Sequence, residues 1–319
     1  GLRHDLIGHE TTGVGGFAKS LRTIPILLDV ARAMEDSAPN AWLLNFTNPA
    51  GIITEAALKH SRIPVIGLCN IPIGYVMDAA KATGASPESV ELDYVGINHL
   101  SWVRGCRVGG EDQWDLFLDV AAREFLEEEG AAGPAMAEWL RFHRLVPNYY
   151  LQYYYCTNLV LEELKSKAQT RGEQVVEVEK ALFEKYQDPD LNEKPPELEQ
   201  RGGAFYSTAA CNLIESLVTD KQDVQVVNIR NEGAVPELPP DVSVEVPCRI
   251  TSAGPVPLPQ RTLEPEIRGI LQVVKAYEEL TVEAAVRGDR RSALLALSVH
   301  PLVRQIKMLE RLLDEILAE

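Results

Sequence analysis

Residues 41–60, AWLLNFTNPAGIITEAALKH, place a short apolar run, a polar turn and an amphipathic pattern in immediate succession. AWLLNF is typical of a buried strand, and PAGIITEAALKH has apolar residues at helical spacing. The turn between them carries Asn45, Thr47 and Asn48, although a simple turn needs only one residue of this kind. The stretch therefore predicts a strand-to-helix junction, and its extra polar side chains mark it as a candidate for function.

The same alternation continues on both sides of this junction. Residues 20–39 show helical periodicity that stops at Pro39, and residues 63–70, IPVIGLCN, form a second apolar strand pattern. Residues 71–84 are helical up to Gly84, and residues 89–108 read as consecutive strands. Apolar strands that alternate with helices predict an α/β fold with a parallel sheet covered on both faces.

The pattern changes beyond about residue 110, where long helical segments surround a strand-rich insert at residues 224–251. We therefore divide the chain into residues 1–95, with the parallel sheet, and residues 96–319, a mixed α+β C-terminal domain. Residues 185–203, KYQDPDLNEKPPELEQRGG, are polar and rich in proline, which predicts a surface loop.

Composition excludes several classes of protein. The formal charge of −16 over 319 residues argues against a nucleic-acid partner, because phosphate binding needs clustered Lys and Arg. No run approaches the roughly 18 apolar residues that span a bilayer, so no membrane partner is expected. The first residues lack the pattern of a signal peptide. Five scattered cysteines do not form a disulfide framework, and the sequence predicts a protein of the reducing cytoplasm.

The sequence contains no clear glycine-rich phosphate-binding loop. No G-x-G-x-x-G occurs, and the nearest stretch, GVGGFAKS at residues 13–20, has no strand in front of it. A dinucleotide-binding turn joins a strand to a helix N-terminus. Residues 13–20 are therefore predicted to cap a helix.

Two predicted strand ends carry side chains suited to a metal. Cys69 and Asn70 end one strand, and Asn98 and His99 end another, at the edge where open α/β sheets bind ligands. Thiolate and imidazole are good ligands for a divalent transition metal. The two residues lie far apart without a local chelating motif, so a buried core thiol and a hydrogen-bonded structural histidine fit the same pattern.

A tyrosine cluster and one arginine complete the candidates. VPNYYLQYYYC holds five tyrosines between Tyr149 and Tyr155, and most of them are expected to pack in a core. A tyrosine next to a cation can also act as a general base, because the cation lowers its pKa. Arg171 precedes an acidic helix, where a solvated arginine is the plain alternative to a binding role.

Several blocks occur together in one order and spacing, and the match runs from residue 1 to the end. They are GHETTGVGGFAKSLRTIPILLDVA, NFTNPAGIITEA, LCNIP, YVGINHLSW, YYLQYYY, TRGE, EQRGGAFYSTAACNLI, VNIRNEGAVPELP and VEVPCRIT. Together they closely resemble glycoside hydrolase family 4, and within it the 6-phospho-β-glucosidases. The resemblance implies a truncated Rossmann-like sheet of the lactate and malate dehydrogenase type, in which the Asn-Pro turn lies beside the nicotinamide and the substrate.

The resemblance also implies roles for single residues. Cys69 and His99 match the family's two protein ligands to a divalent metal, usually manganese (Mn²⁺). Tyr150 matches the catalytic base, and Arg171 matches an arginine that grips the sugar phosphate.

Four further positions follow from the same resemblance. Asn48 matches an asparagine that contacts the substrate, and Asn70 follows the metal-binding cysteine. An aspartate at the latter position acts as an acid in the α-specific members, so an asparagine suits the β-specific ones. Asn45 and Glu10 are placed near the NAD cofactor.

The implied reaction is a redox-assisted elimination, which agrees with the lack of an identifiable close Asp/Glu pair. NAD⁺ takes hydride from C3 of a 6-phosphoglucoside, Tyr150 removes the C2 proton, the C1–O bond breaks, water adds and the hydride returns. The expected substrate is a phosphorylated disaccharide or β-glucoside, and the expected assembly is a homodimer or homotetramer. Family members begin with a glycine-rich NAD turn that precedes the first residue here, so weak NAD⁺ binding by this chain is expected.

Three alternatives stay open at this point. The chain could be another family 4 glycosidase, of the 6-phospho-α-glucosidase or α-galactosidase type. It could be a hydroxy-acid dehydrogenase-like oxidoreductase, although such enzymes do not need Cys69 and His99. It could also be an inactive, truncated binding or assembly protein.

Overall fold

The computed structural model describes residues 1–127, 130–198, 205–303 and 305–318. Within these residues one mixed sheet of nine strands runs through the molecule. The strands are β1 (Leu43–Asn45), β2 (Val65–Gly67), β3 (Val90–Ile97), β4 (Leu100–Val108), β5 (Glu111–Asp112), β6 (Val146–Pro147), β7 (Val224–Arg230), β8 (Ser243–Thr251) and β9 (Gly254–Pro257).

Helices cover the sheet and supply the segments that lead into the strand ends. The α-helices are α1 (Gly13–Ser37), α2 (Ala50–His60), α3 (Ile71–Thr83), α4 (Trp114–Glu127), α5 (Gly133–His143), α6 (Gln152–Tyr155), α7 (Thr157–Ser166), α8 (Arg171–Lys185), α9 (Tyr206–Thr219), α10 (Pro265–Arg287), α11 (Arg290–Val299) and α12 (Leu309–Ala318). Short 3₁₀ turns lie at Leu2–His4, Pro87–Ser89, Tyr149–Leu151 and Ile306–Met308. Among the described residues no helix is long and apolar enough to cross a membrane.

The order of the sheet is β1-β2-β7-β8-β3-β4-β5, with β6 beside β4 and β9 beside β8. The predicted α/β class is confirmed, because β1, α2, β2 and α3 follow one another and β1 pairs with β2 in parallel. All other pairings between the described strands are antiparallel, beginning with Gly67 of β2 opposite Asn228 of β7. The strand-rich insert thus joins the parallel pair directly and extends its sheet.

The proposed division at residue 95 falls on a strand shared by the whole sheet. Residue 95 lies in β3, which pairs with β4 on one side and with β8 on the other. The two-domain division therefore stays a prediction. The predicted surface loop begins where α8 ends, and its described residues 186–198 are mostly exposed; residues 199–203 of that prediction lie outside the described residues.

Helix α1 shows why residues 13–20 do not form a nucleotide loop. The glycines were predicted to cap a helix that begins near residue 20, but α1 begins at Gly13 with Thr12 as its N-cap, so the glycines form its first turns. A Cβ at Gly15 would lie 1.9 Å from the carbonyl oxygen of His9, and one at Gly16 would lie 2.7 Å from that of Thr11. The glycines therefore let residues 9–12 pack directly against the helix backbone.

The long helix α10 packs behind the strand ends that carry the predicted site residues. It packs against α1, α2 and α11 and also reaches β3. Its buried residues include Lys275, Tyr277 and Glu278. Two charged groups are thereby placed in the interior behind the ends of β1 and β3.

Candidate functional site

The turn after β1 is held together by Asn45. Its Nδ2 donates to the carbonyl oxygen of Ala50 at 3.3 Å and to Thr54 Oγ1 at 2.9 Å, and its Oδ1 accepts from the Thr47 amide at 2.9 Å. The side chain is only 2% exposed. Asn45 therefore closes the turn with its own polar groups, and its role near a cofactor stays a prediction.

Asn48 is half-buried and precedes a cis peptide bond to Pro49. Its Oδ1 accepts from the Ala50 amide at 3.4 Å, a long contact that leaves the side-chain NH₂ group outside this turn. The three polar residues of the junction therefore have different positions. Asn45 is buried and stabilises the turn, while Thr47 and Asn48 lie at its surface.

The turn after β2 buries the thiol of Cys69. Its Sγ lies 4.0 Å from Asn70 Oδ1, and the Asn98 side chain also hydrogen-bonds to it. Burial and, to a smaller extent, the carboxylate of Glu245 together raise the pKa of the thiol to about 12. Cys69 is therefore neutral at neutral pH. The next residue, Asn70, is half-buried and begins α3 as its N-cap.

His99 lies in the two-residue turn between β3 and β4, where its φ of 65° is left-handed. The imidazole stacks on the ring of Tyr150 with 3.9 Å between centroids and 11° between planes. Its Nδ1 lies 3.2 Å from Thr11 Oγ1. Burial lowers its pKa to about 3, with a smaller contribution from His9, so the ring is neutral.

Tyr150 is positioned by Asn148, which is fully buried. The Tyr150 amide donates to Asn148 Oδ1 at 3.1 Å. Asn148 is itself fixed by Ser101, since its amide donates to the Ser101 carbonyl oxygen at 2.8 Å and its Nδ2 donates to Ser101 Oγ at 3.0 Å. Burial raises the pKa of Tyr150, and the nearby Cys69 raises it further. The phenol therefore keeps its proton until a positive charge arrives.

The other tyrosines of the cluster face different partners. Tyr153 lies against His9 with 4.9 Å between ring centroids, Tyr154 lies near His300, and Tyr155 stacks on Trp139 at 4.7 Å. Successive helical residues rotate by about 100°, which explains this divergence. Among residues 149–155, the ring that stacks on His99 is that of Tyr150.

Arg171 and Glu10 lie at the periphery. Arg171 is the exposed first residue of α8, which Thr170 and Glu173 cap reciprocally. Its charge is close enough to His9 to lower that residue's pKa, so it lies on the same side of the molecule as the tyrosine site. Glu10 is exposed, with one carboxylate oxygen 3.7 Å from Lys19 Nζ.

Two family profiles match most of the chain. "Family 4 glycosyl hydrolase" matches residues 1–85, and "Family 4 glycosyl hydrolase C-terminal domain" matches residues 94–303. The "Probable 6-phospho-beta-glucosidase" of Bacillus subtilis strain 168 is 45% identical over 333 residues, which cover 99% of this chain and 73% of that protein. The chain belongs to glycoside hydrolase family 4.

Solved structures agree with membership of family 4. The 6-phospho-β-glucosidase of Thermotoga maritima, in a form with manganese, NAD⁺ and glucose-6-phosphate, is 37% identical with a TM-score of 0.89. The match covers 99% of this chain and 75% of that one. Malate dehydrogenase of Plasmodium falciparum in complex with NADH has a TM-score of 0.50 at 15% identity, covering 84% of this chain and 72% of that one. This likeness concerns the fold alone, and the predicted Rossmann-like class is confirmed.

Several residues of this family 4 site were missed in the sequence. Glu245 of β8 is fully buried and accepts from Tyr94 Oη at 2.5 Å, Asn98 Nδ2 at 3.0 Å and Asn228 Nδ2 at 2.9 Å. Through Asn98 it fixes the residue that precedes His99. A glutamate within the apolar strand pattern SVEVPC was the available signal, because a carboxylate at a core position needs partners.

His9 and Thr11 were not predicted as site residues, although both flank Glu10 in the block GHETTGVGGFAKSLRTIPILLDVA. Thr11 is buried, and its hydroxyl lies within hydrogen-bond distance of both His9 and His99. The candidate site thus brings Tyr150 next to His99 and near Cys69, and Thr11 in front of α1 contacts His99 from one side.

Proposed function

We propose that this chain is a 6-phospho-β-glucosidase that hydrolyses 6-phospho-β-glucosides with NAD⁺ and Mn²⁺. The observation that carries the proposal is the position of Tyr150, which stacks on His99 and interacts electrostatically with Cys69. A tyrosine that could act as a general base thereby lies beside two side chains that suit a divalent transition metal. The similarity to the enzymes from Bacillus subtilis and Thermotoga maritima supports the substrate class.

The two candidate ligands fit a metal such as Mn²⁺. His99 is neutral, and its Nδ1 is engaged by Thr11, which leaves Nε2 for coordination. The Cys69 thiol must lose its proton to bind, and a cation would favour that loss. Among the residues that the structure describes, no set of three or more His, Cys, Asp or Glu could hold a metal ion. Cys69 and His99 would therefore act as a pair, with substrate or solvent oxygens as further ligands.

The residues of this chain that could contact NAD⁺ lie near the nicotinamide, where the hydride is transferred. In the described part of the chain, neither parallel strand leads into a glycine-rich turn, since β1 continues into residues 46–49 and β2 into residues 68–70. The proposal therefore assigns no residue of this chain to the pyrophosphate. Asn45 and Glu10 remain our candidates near the cofactor.

The chemistry that the two cofactors supply when bound is acceptance and return of hydride by NAD⁺ and stabilisation of negative charge on sugar oxygens by Mn²⁺. Tyr150 removes the proton from C2. Because burial raises its pKa, it can do so at neutral pH only with a positive charge close by. Asn148 holds its backbone, and the stacking on His99 holds its ring.

Substrate contacts are assigned to the exposed rim. Arg171 is proposed to bind the sugar phosphate, since a guanidinium can donate two hydrogen bonds to phosphate oxygens. Asn48 and Asn70 are proposed to contact sugar hydroxyl groups. An amide at Asn70 cannot donate a proton as an acid would, which favours a β-glucoside over an α-glucoside. A homodimer or homotetramer, a cytoplasmic location and a division at residue 95 are further parts of the proposal.

The test is cleavage of p-nitrophenyl β-glucoside 6-phosphate in the presence of NAD⁺ and Mn²⁺, with the α-anomer as the matched control. We expect cleavage of the β-anomer to require both cofactors and to be accompanied by exchange of the C2 proton with solvent deuterium. Preference for the α-anomer would move the assignment to the α-specific members. Oxidation of a hydroxy acid without glycoside cleavage would support the dehydrogenase alternative, and turnover of neither substrate would support the binding-protein alternative.

A further inference from the structure

Three side chains from two distant segments form a continuous hydrogen-bonded row beside Tyr150. Thr11 Oγ1 lies 3.0 Å from His9 Nδ1 and 3.2 Å from His99 Nδ1. The backbone amide of Thr11 also points at His9 Nδ1, at 3.2 Å. Thr11 therefore bridges two imidazoles that both lie against the ring of Tyr150.

The positions of the protons in this row follow from counting donors. A backbone amide can only donate, so His9 Nδ1 must accept and carries no proton. The Thr11 hydroxyl then also donates to His9 Nδ1, so its hydrogen and the amide hydrogen share the single lone pair of this nitrogen, since with the hydroxyl hydrogen turned away two lone pairs would face each other at 3.0 Å. The single hydroxyl hydrogen is used there, so Thr11 Oγ1 accepts from His99 Nδ1–H.

We propose that Thr11 and His9 are positioning residues that fix His99 in the tautomer protonated at Nδ1, with Nε2 presented as a metal donor. The inference rests on the proposed role of His99 as a ligand and deepens it. Metal-bound histidines commonly donate their second ring N–H to an acceptor, which orients the ring and increases the basicity of the ligand atom. Here the acceptor is a hydroxyl that is itself oriented by a second histidine.

The surroundings keep this row in place. Gly15 and Gly16 allow the His9–Thr12 segment to pack on the backbone of α1, where a Cβ at Gly15 would be 1.9 Å from His9 O. The ring of His99 is held in its plane by stacking on Tyr150 at 3.9 Å. With the backbone and the ring plane both fixed, the hydroxyl of Thr11 decides which nitrogen of His99 carries the proton.

The first experiment uses ¹⁵N-histidine NMR on this chain without metal, where only six histidines contribute signals. We expect His99 to be protonated at Nδ1 and His9 at Nε2. Thr11→Ser should preserve both tautomers, whereas Thr11→Val, which has the same shape without the hydroxyl, should remove the preference at His99. A proton on His99 Nε2 in the parent chain, or an unchanged preference in Thr11→Val, would overturn the proposal.

The second experiment measures Mn²⁺ affinity by calorimetry for folded variants with parent-like circular dichroism. Thr11→Val should weaken Mn²⁺ binding by about 10- to 100-fold, the usual effect of removing a partner of a metal ligand, and Thr11→Ser should restore it. His9→Phe keeps the aromatic contact but removes the acceptor, so it should weaken binding less. The matched control is Thr12→Val, the neighbouring buried threonine, which should bind Mn²⁺ as the parent does.

The two proposals fail differently in this experiment. Loss of Mn²⁺ binding in His99→Ala together with parent-like affinity in Thr11→Val would overturn the positioning role and keep the metal site. Parent-like affinity in His99→Ala would overturn the metal site itself, and the NMR result would then decide on the tautomer alone.

Discussion

Two buried polar clusters lie near each other in this molecule, and they differ in their charge. One, the tyrosine site, contains Cys69, His99 and Tyr150, and the other contains Glu55, Lys275 and Glu278. In the tyrosine site, burial raises the pKa values of Cys69 and Tyr150 and lowers that of His99 to about 3, so all three groups are neutral. In the second cluster, Lys275 Nζ lies 2.8 Å from Glu55 Oε2 and 2.5 Å from Glu278 Oε2, so Lys275 and Glu55 stay charged, while burial raises the pKa of Glu278 to about 7.

The difference lies in what each cluster contains. Burial by itself would raise the pKa of Glu55, but Lys275 and Lys59 lower it below its ordinary value, so the carboxylate stays charged. The side chains of Cys69, His99 and Tyr150 carry no positive charge among them, and each has an atom that could bind a cation. Breaking a buried ion pair such as Lys275–Glu55 lowers the stability of the fold. Buried side chains that are neutral and can coordinate a cation, such as Cys69 and His99, are instead typical of a metal site.

The largest expected effect is on catalysis in the neutral cluster. Tyr150→Phe should lower kcat by about 10²- to 10⁴-fold, the usual contribution of a general base, and should abolish exchange of the C2 proton with deuterium. Tyr155→Phe is the matched control, because Tyr155 belongs to the same segment but stacks on Trp139. Exchange at the parent rate in Tyr150→Phe would assign the base elsewhere.

The charged cluster should respond in stability. Lys275→Met leaves Glu55 and Glu278 buried without their shared cation, which should cost about 3 to 5 kcal/mol of unfolding free energy at pH 7. Lys59→Met is the control, since Lys59 is more exposed and its loss leaves Glu55 paired with Lys275. Urea unfolding measures both. An equal loss in the two variants would contradict the view that burial sets the cost.

His300 provides a pH-dependent comparison at the back of the site. It is buried, accepts from the Leu302 amide through Nδ1 at 3.0 Å, and burial lowers its pKa to about 3 from 6.5. The unfolded chain therefore binds the proton more readily, so this contribution to stability is complete above pH 6.5 and is lost as pH falls towards 3.

Between pH 7 and pH 5 the parent should lose about 2 kcal/mol more than His300→Gln, because one pKa unit corresponds to about 1.4 kcal/mol. Unfolding free energies at the two pH values give the comparison. Parallel pH profiles for the parent and the variant would show that His300 titrates alike in both states.

The smallest expected effect is the pH dependence of Mn²⁺ binding at the proposed metal site. Cys69, with a pKa of about 12, must release its proton to bind Mn²⁺, whereas His99 is already neutral. Binding should therefore release about one proton, and affinity should fall by about tenfold for each unit of decreasing pH. Calorimetry in buffers of different ionisation enthalpy measures this number. A value near zero would mean that the thiol is not a ligand.

Local elements of the fold could be predicted from the sequence because their causes are local. The apolar run and the helical spacing in residues 41–60 predicted β1 and α2, and the helical spacing from residue 20 predicted most of α1, although that helix already begins at Gly13. The parallel pairing of β1 and β2 agrees with the prediction, but no pattern in the sequence indicated that β7 extends their sheet. Strand β7 pairs with β2 although the two lie far apart in the chain, and periodicity carries no information on such pairing.

The candidate site, like the fold, was predicted only in those features that depend on neighbouring residues. The sequence by itself placed Cys69 and His99 at strand ends, because strand ends are read from neighbouring residues, whereas the choice of Tyr150 among five tyrosines came from the resemblance to family 4. Only the tertiary structure decided that Thr11 meets His99 across 88 residues and that Glu245 meets Asn98 across 147. These bonds depend on the packing of segments that share no local pattern, since hydrogen bonding and desolvation act through space and not along the chain.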